Sequence, residues 1–296
     1  MTDFSFEFVF ASGEKHSPKE EPSEWLLKCN ADTVADSLTV RFSAGKRLFT
    51  EEPVGAVLKK DGAVIFDGIV DEHRVKCQNG ARTEVFFLRS RAALLLDNEA
   101  APMELRLPSL RLLERMYLMP LGLHAVGGDR RPVEGVLTVE MGVSCFEALQ
   151  TFSERYLNCT PYTDKNGGVH FESYVPKTVK PDWVTAREVI FCPYKMLSGV
   201  TVQNAQTGAY SAEYHDPLAP QVRVRYLSAY AKTAPTALLN ESRRASKRLK
   251  LTCASYIDGN MGDTMRTEEL GEVRLISKNV LLRGKDVKTE LHFEPV

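Results

Sequence analysis

The chain has 296 residues, more than one ordinary domain needs, with 43% hydrophobic and 26% charged residues and a formal net charge of −1 from 38 basic and 39 acidic side chains. That balance describes an ordinary globular protein and excludes a global basic field able to hold nucleic acid or an anionic membrane. No uncharged run approaches the roughly 20 residues of a bilayer-spanning helix, and the six cysteines lie scattered without a CxxC pair, so zinc-ligand spacing is absent.

Asp3, Glu7 and Glu14 interrupt the apolar patch from Phe4 to Ala11, and no basic region precedes it, so the N-terminus does not read as an export signal. With its cysteines set among apolar neighbours, the chain reads as made and kept in a cytoplasm. Residues 1–53 read as β-structure broken by a polar loop: Phe4–Phe10 alternates, Glu14–Pro22 is charged and carries prolines, and Leu38–Phe42 is a clean alternating strand. Val54–Arg91 follows as a run of short strands. Asp61-Gly62 and Asn79-Gly80 are tight primed turns, since both residue types accept a positive φ. Between them Val64, Phe66 and Val70 alternate with Ile65 and Ile69, which predicts a strand apolar on most of both faces, as in a barrel wall. These stretches form an expected first β-domain, residues 1–100.

Ala92–Asp97 and Ala100–Pro108 make a hinge-like passage. Ser109–Met119 predicts a helix capped by Ser109 and ended by Pro120 and Gly122. A second helix starts at Ser144-Cys145-Phe146-Glu147, a capping box, and continues with Phe146, Leu149, Phe152 and Tyr156 on one face. The stretch from Thr160 to Ser173 predicts a hairpin turning at Asp164–Gly168. Residues 101–180 are thus expected to form a small α/β module, with Pro176 and Pro181 at its exit.

In residues 181–296, Val189–Ile190, Val200–Val202 and Val222–Tyr226 predict strands, and Thr236–Lys250 a third helix. Met261–Val296 then restates the Val54–Arg91 pattern: a hydrophobe-Gly pair, an apolar strand (Val273–Ile276), a polar turn (Arg283–Asp286) and a last strand. That last strand opens with Thr-Glu both times, at Thr83-Glu84 and Thr289-Glu290. The reading is of a mainly β (α+β) protein, with two related β-barrel domains flanking the α/β module.

Familiar catalytic motifs are missing: no G-x-S-x-G elbow, phosphate loop, G-x-G-x-x-G or H-E-x-x-H occurs. Cys145 sits at a helix start, which lowers a thiol's pKa, but no partner neighbours it in sequence, and a small residue in a capping box is the plainer reading. His215-Asp216 reads as a surface turn rather than part of a triad or metal site. Asp258, Asp263, Glu268 and Glu269 lack calcium-loop spacing and read as a solvated loop. The basic run Arg243, Arg244, Lys247, Arg248 and Lys250 is the strongest local charge feature. Placed on a helix, it reads as a solvated face or a protein contact. No catalytic, cofactor or metal site is expected.

In order and spacing the chain resembles the baseplate hub proteins of contractile phage tails and tail-like particles, the late control gene D family. Three segments carry the resemblance. The first is Val54-Gly55, Lys60-Asp61-Gly62 and Phe66-Asp67-Gly68-Ile69-Val70-Asp71, then Arg89-Ser90-Arg91 and Leu94-Leu95-Leu96-Asp97. The second is Gly142-Val143-Ser144 with Phe146-Glu147-Ala148-Leu149 and Asn166-Gly167-Gly168. The third is Ser246–Lys250, Met261-Gly262-Asp263 and Thr289-Glu290-Leu291.

The resemblance implies a structural, non-enzymatic role. In such hubs three chains with two barrels each form a pseudo-sixfold ring that meets the hexameric tail tube on one side and the trimeric spike on the other. Partners would be two further copies, the tube or its initiator, the spike and other baseplate proteins. No membrane or specific nucleic-acid binding is implied, although DNA would pass the lumen of a phage. The protein would be made in the host cytoplasm and built into a particle. Ala63–Val70 and Gly271–Ser277 would be ring walls, with the turn residues Asp61, Gly62, Gly284 and Lys285 and the basic residues Arg243, Arg244 and Lys247 touching neighbours. The alternative is a tail-associated cell-wall hydrolase using Glu147 and Glu154 of the middle module.

Overall fold

The computed structural model describes residues 3–231 and 233–296. Strands hold 45% of the chain and helices 15%, and the large antiparallel sheets do not close into a barrel. The chain divides into two compact units: Met1–Val175 with Asn279–Val287, and Pro176–Lys278 with Lys288–Val296.

In the first unit β1 (Phe4–Val9), β2 (Lys15–His16), β3 (Glu24–Asn30), β4 (Ser37–Ala44), β5 (Gly55–Lys60), β6 (Ala63–Gln78) and β7 (Ala81–Ser90) form one sheet in the order β3-β4-β7-β6-β5-β1-β2. Both primed turns form as expected, with φ of 49° and 80° at Asp61 and Gly62 and of 51° and 76° at Asn79 and Gly80. An aromatic core lies under the sheet, with the ring of Phe8 4.8 Å from Phe86 and 4.9 Å from Phe49. The strand expected to be a wall buried on both faces, β6, is fully buried only at Phe66 and Gly68. There a Cβ on residue 68 would stand 2.2 Å from the Arg89 carbonyl and 2.5 Å from the Phe66 ring. Glycine lets that ring fold over its own strand.

The rest of the first unit has its own core, including Leu110, Leu113, Leu149, Phe152, Val169 and Phe171. It contains α1 (Ala93–Asp97), the pair β8 (Met103–Arg106) and β10 (Val136–Val139), and the three-stranded sheet of β9 (His124–Val126), β11 (Tyr162–Thr163) and β12 (Gly168–His170). The first expected helix is only partly α-helical. α2 (Leu110–Leu113), capped by Ser109, widens into a π turn over Glu114–Leu118 and tightens into a 3₁₀ turn over Met119–Leu121. Pro120 has no N–H with which to continue the ladder, and Gly122 ends it at φ 71°. In α3 (Cys145–Phe152) the Ser144–Glu147 capping box is complete. A π turn, Ser153–Leu157, follows, ended by Asn158 at φ 51°.

In the second unit β13 (Val184–Phe191), β17 (Lys247–Cys253), β20 (Asp286–Pro295) and β19 (Gly271–Arg283) lie in that order, with β18 (Thr264–Thr267) on β19. The tip of the β19–β20 hairpin, Asn279–Val287, belongs to the first unit. There the Gly284 N–H donates to the Ser23 carbonyl (3.1 Å) and Arg283 pairs with Glu24 (3.0 Å) beside β3. A second sheet, β15 (Tyr210–His215), β14 (Gly199–Gln203) and β16 (Val224–Leu227), packs with α4 (Pro235–Ala245).

The third helix therefore stops five residues short of the expected Lys250. The Ser242 and Ser246 hydroxyls donate to the carbonyls of Leu239 (2.8 Å) and Arg243 (2.7 Å) at its end. Beyond them Leu249, Leu251 and Cys253 alternate inward, which is strand spacing.

The two meanders share a short strand, a long strand and a last strand of 10 residues. Their Thr-Glu openings do not correspond. The inward positions are Glu84, Phe86 and Leu88 in β7 and Thr289, Leu291 and Phe293 in β20, so Glu84 matches Thr289 and the shared dipeptide is one residue out of register.

Candidate interaction surfaces

Among the described residues no group of three or more His, Cys, Asp or Glu is placed to hold a metal ion. The residues weighed for chemistry have structural partners. Cys145 is buried, and burial pushes its thiol up, away from an activated nucleophile. Glu147 accepts from the Ser144 N–H and hydroxyl (2.8 Å each), which holds its carboxyl below the usual range. Glu154 accepts from the Gln150 amide (2.7 Å). The acid pair of the hydrolase alternative is thus taken up in helix capping and a side-chain contact.

Asp216 is not the surface turn residue expected. Its side chain is fully buried, and it accepts from Arg243 Nε (3.0 Å) and Nη2 (2.8 Å) and from the Leu218 N–H (3.0 Å). The guanidinium beside it holds the carboxyl below its ordinary value. His215 meets exposed Glu213 instead. In the acidic set, Asp263 is buried and accepts from the Lys177 and Asn260 N–H groups (2.8 Å each), while Glu269 pairs with Arg187.

The basic run does not share one helix face. Arg243 and Arg244 lie in the last turn of α4, whereas Lys247, Arg248 and Lys250 lie on β17, and Arg243 is committed to Asp216. Asp61 and Gly62 occupy an exposed turn, in which Lys60 Nζ (2.7 Å) and the Asp3 N–H (3.0 Å) hold the Asp61 carboxyl low. Gly284 and Lys285 form the exposed tip of the β19–β20 hairpin.

Two features have no counterpart in the sequence reading. Buried Glu84 accepts from Arg82 Nε (2.6 Å) and the Leu48 N–H (3.2 Å) and meets His73 Nε2 (3.1 Å), whose other ring nitrogen meets Glu52 (2.6 Å). The His73 ring stacks on Phe86 at 4.2 Å. The second feature is a surface. Among the described residues every exposed aromatic lies between 183 and 230: Trp183, Phe191, Tyr194, Tyr210, Tyr214, Tyr226 and Tyr230. Seven of the eight residues of β13 are exposed, and among the described residues β13 has a strand neighbour, β17, on one side alone. On β14–β16 the register places Tyr210, Val224 and Tyr226 on one face with Thr201, and the Tyr210 and Tyr226 rings meet at 5.2 Å. The sequence signal available was apolar residues on strands such as Val222–Tyr226.

No protein-family model matches the sequence, and a search of characterised proteins returned no relative. Solved structures do match. A 43 kDa tail protein of prophage MuSo2 from Shewanella oneidensis aligns over 100% of this chain and 98% of its own at 13% identity and a TM-score of 0.79. A tail protein from Neisseria meningitidis aligns over 98% and 96% at 16% identity and a TM-score of 0.70. A type VI secretion component of Escherichia coli, described as structurally similar to the T4 bacteriophage tail proteins gp27 and gp5, aligns over 94% of this chain and 74% of its own at 9% identity and a TM-score of 0.56. The chain has the fold of these tail and tail-like proteins, and no helix among the described residues is long and apolar enough to cross a membrane.

Proposed function

We propose that the chain is a structural subunit of a phage tail or tail-like injection particle: a baseplate hub whose three copies form a ring between the hexameric tail tube and the trimeric spike. The observation that carries this reading is the end-to-end match to tail proteins, in which nearly the whole of both chains superposes and little of either is left over for another task. The related meanders of the two units support it, since a chain with two similar β-units can present six near-equivalent elements from three copies. In this reading residues 1–100 and 181–296 are the two tube-type domains and 101–180 the module between them. The exposed turns at Asp61-Gly62 and Gly284-Lys285, with Arg244 and Lys247, contact neighbouring subunits, and Arg243 positions the end of α4. The protein is made in the bacterial host cytoplasm and incorporated into the particle.

The test is the solution mass by light scattering, with electron images of the same peak, alone and after adding the tube and spike proteins of the same particle. A ring of about 99 kDa, three chains of 33.1 kDa, that binds both is the expected result. A chain that binds neither tube nor spike would refute the reading.

A further inference from the structure

Residues 45–54 join β4 to β5 and lie against the aromatic core of the first sheet. Phe49, in the middle of this loop, sets its ring 4.9 Å from Phe8, 5.4 Å from Phe10 and 6.4 Å from Phe86. Two side chains of the sheet hold the loop down. Glu84 of β7 accepts the Leu48 N–H (3.2 Å), and His73 of β6 meets Glu52 through Nδ1 (2.6 Å). His73 also meets Glu84 through Nε2 (3.1 Å), so its ring bridges the sheet's carboxylate and the loop's. Arg47 closes the loop on itself by donating to Glu52 (2.5 Å).

The two carboxylates differ in what they can give up. The Glu84 side chain is 1% exposed and that of Glu52 is 61% exposed. An imidazole carries an N–H on both nitrogens only when protonated, and a neutral ring carries one. With both contacts made, the His73–Glu84 pair therefore shares a proton, whichever of the two holds it. Removing that proton leaves one N–H for two carboxylates. Glu84 keeps it, because a buried acceptor that loses a donor cannot turn to water, whereas Glu52 can. The Nδ1 lone pair then faces the Glu52 carboxylate, and attraction becomes repulsion.

The charged and titratable groups around the ring come from three elements. The loop brings Glu52 and, behind it, Arg47. From β7 come Glu84 and Arg82, which donates to Glu84 (2.6 Å), and β6 itself brings Cys77, beside Arg82. Opposite Glu84 and Arg82, β4 places Phe42 and Ala44, which are apolar. Both arginines keep their charge throughout and stay on their own carboxylates, so neither replaces the missing proton.

We propose that residues 45–54 form a lid over the aromatic core of the first unit, latched by His73 and released when the His73–Glu84 pair loses its shared proton. Raising the pH opens the lid and withdraws Phe49 from Phe8 and Phe86, which are both 0% exposed when it is closed. On the acid side the His73 hydrogen bond, ahead of Arg47, holds the Glu52 carboxyl below its ordinary value. The Glu52 contribution is therefore complete above the ordinary carboxylate pKa of about 4 and is lost as pH falls through the lower folded value.

The test is amide hydrogen exchange of the full chain, read by mass spectrometry from about pH 5 to about pH 9, with the intrinsic pH dependence of exchange divided out. Protection of residues 45–54 should fall about 10-fold across that range, the worth of one hydrogen bond to a charged group, while peptides from β7 keep theirs. In His73→Gln the loop should be weakly protected at every pH. Glu52→Gln should be well protected at every pH, because an amide accepts from a ring N–H and donates to a ring lone pair. Exposed Glu51→Gln is the control and should respond as the unaltered chain does.

Loop protection that does not change with pH would overturn the latch. A pH response that survives in His73→Gln would exclude His73 as its source, and one that survives in Glu52→Gln would show that release does not occur at Glu52. Either result overturns the proposal. Because Glu52 is exposed, its variant decides the matter even if His73→Gln does not fold.

Discussion

Asp216 and Arg243 show what one buried charge demands. The carboxylate has no solvent access, and its two hydrogen bonds from Arg243 are what permit it to stay ionised. Because its folded pKa is depressed, chiefly by that hydrogen-bonded guanidinium, the pair stabilises the protein above the ordinary carboxylate pKa of about 4 and ceases to do so as pH falls through the lower folded value. Arg243→Ala should lower the urea midpoint at neutral pH, because it leaves the buried Asp216 carboxylate without its counter-ion. The loss should shrink as the solution is acidified. An equal loss at all pH values would show that the pair does not act electrostatically. Arg243 was legible in the sequence as a charge and not as a structural ion, because its partner lies 27 residues away in a stretch that reads as a turn.

At the scale of elements, what was legible is chemistry confined to a few neighbouring residues. The Asp-Gly and Asn-Gly turns and the Ser144–Glu147 box formed as read, since each depends on contacts within three residues. Ser144→Ala should lower stability by about 1 kcal/mol, read as a shift in the thermal midpoint, through loss of the hydroxyl that accepts the Glu147 N–H. No shift would mean that tertiary packing alone holds the start of α3. Where the reading failed, a tertiary contact or a subtle change of period decided the outcome. Basic residues with good helix propensity at 247–250 became strand because Leu249, Leu251 and Cys253 enter the second unit's core. Thr-Glu looked like a repeated motif, yet inward position, not identity, sets equivalence, and it places buried Glu84 opposite Thr289. A barrel was expected from apolar residues on both faces of β6, but half-burial of an open sheet leaves the same pattern.

At the scale of the molecule, composition alone showed a chain of more than one domain, but not that its units are discontinuous. The first unit includes Asn279–Val287, residues that a cut made at the proline-bearing exit after Val175 would discard. A fragment of residues 1–175 would leave β3 as a bare edge. Its melting midpoint should fall at least about 5 °C below that of the first unit in the whole chain, with a greater tendency to aggregate. An unchanged midpoint would show that the hairpin tip contributes nothing to the first unit. The aromatic surface was the least legible feature, because one sequence does not distinguish an apolar strand residue that is buried within its own fold from one left in water.

The borrowed hairpin also sets an order of events during synthesis. Translation is vectorial, so the unit whose chain emerges first lacks its last edge strand until Val287 has cleared the ribosome, when almost all of the second unit has already been made. The N-terminal half is begun early and finished late. Throughout that interval β3 has an unpaired edge, so slower synthesis of residues 176–287 should raise the share of chains that aggregate before the first unit is complete.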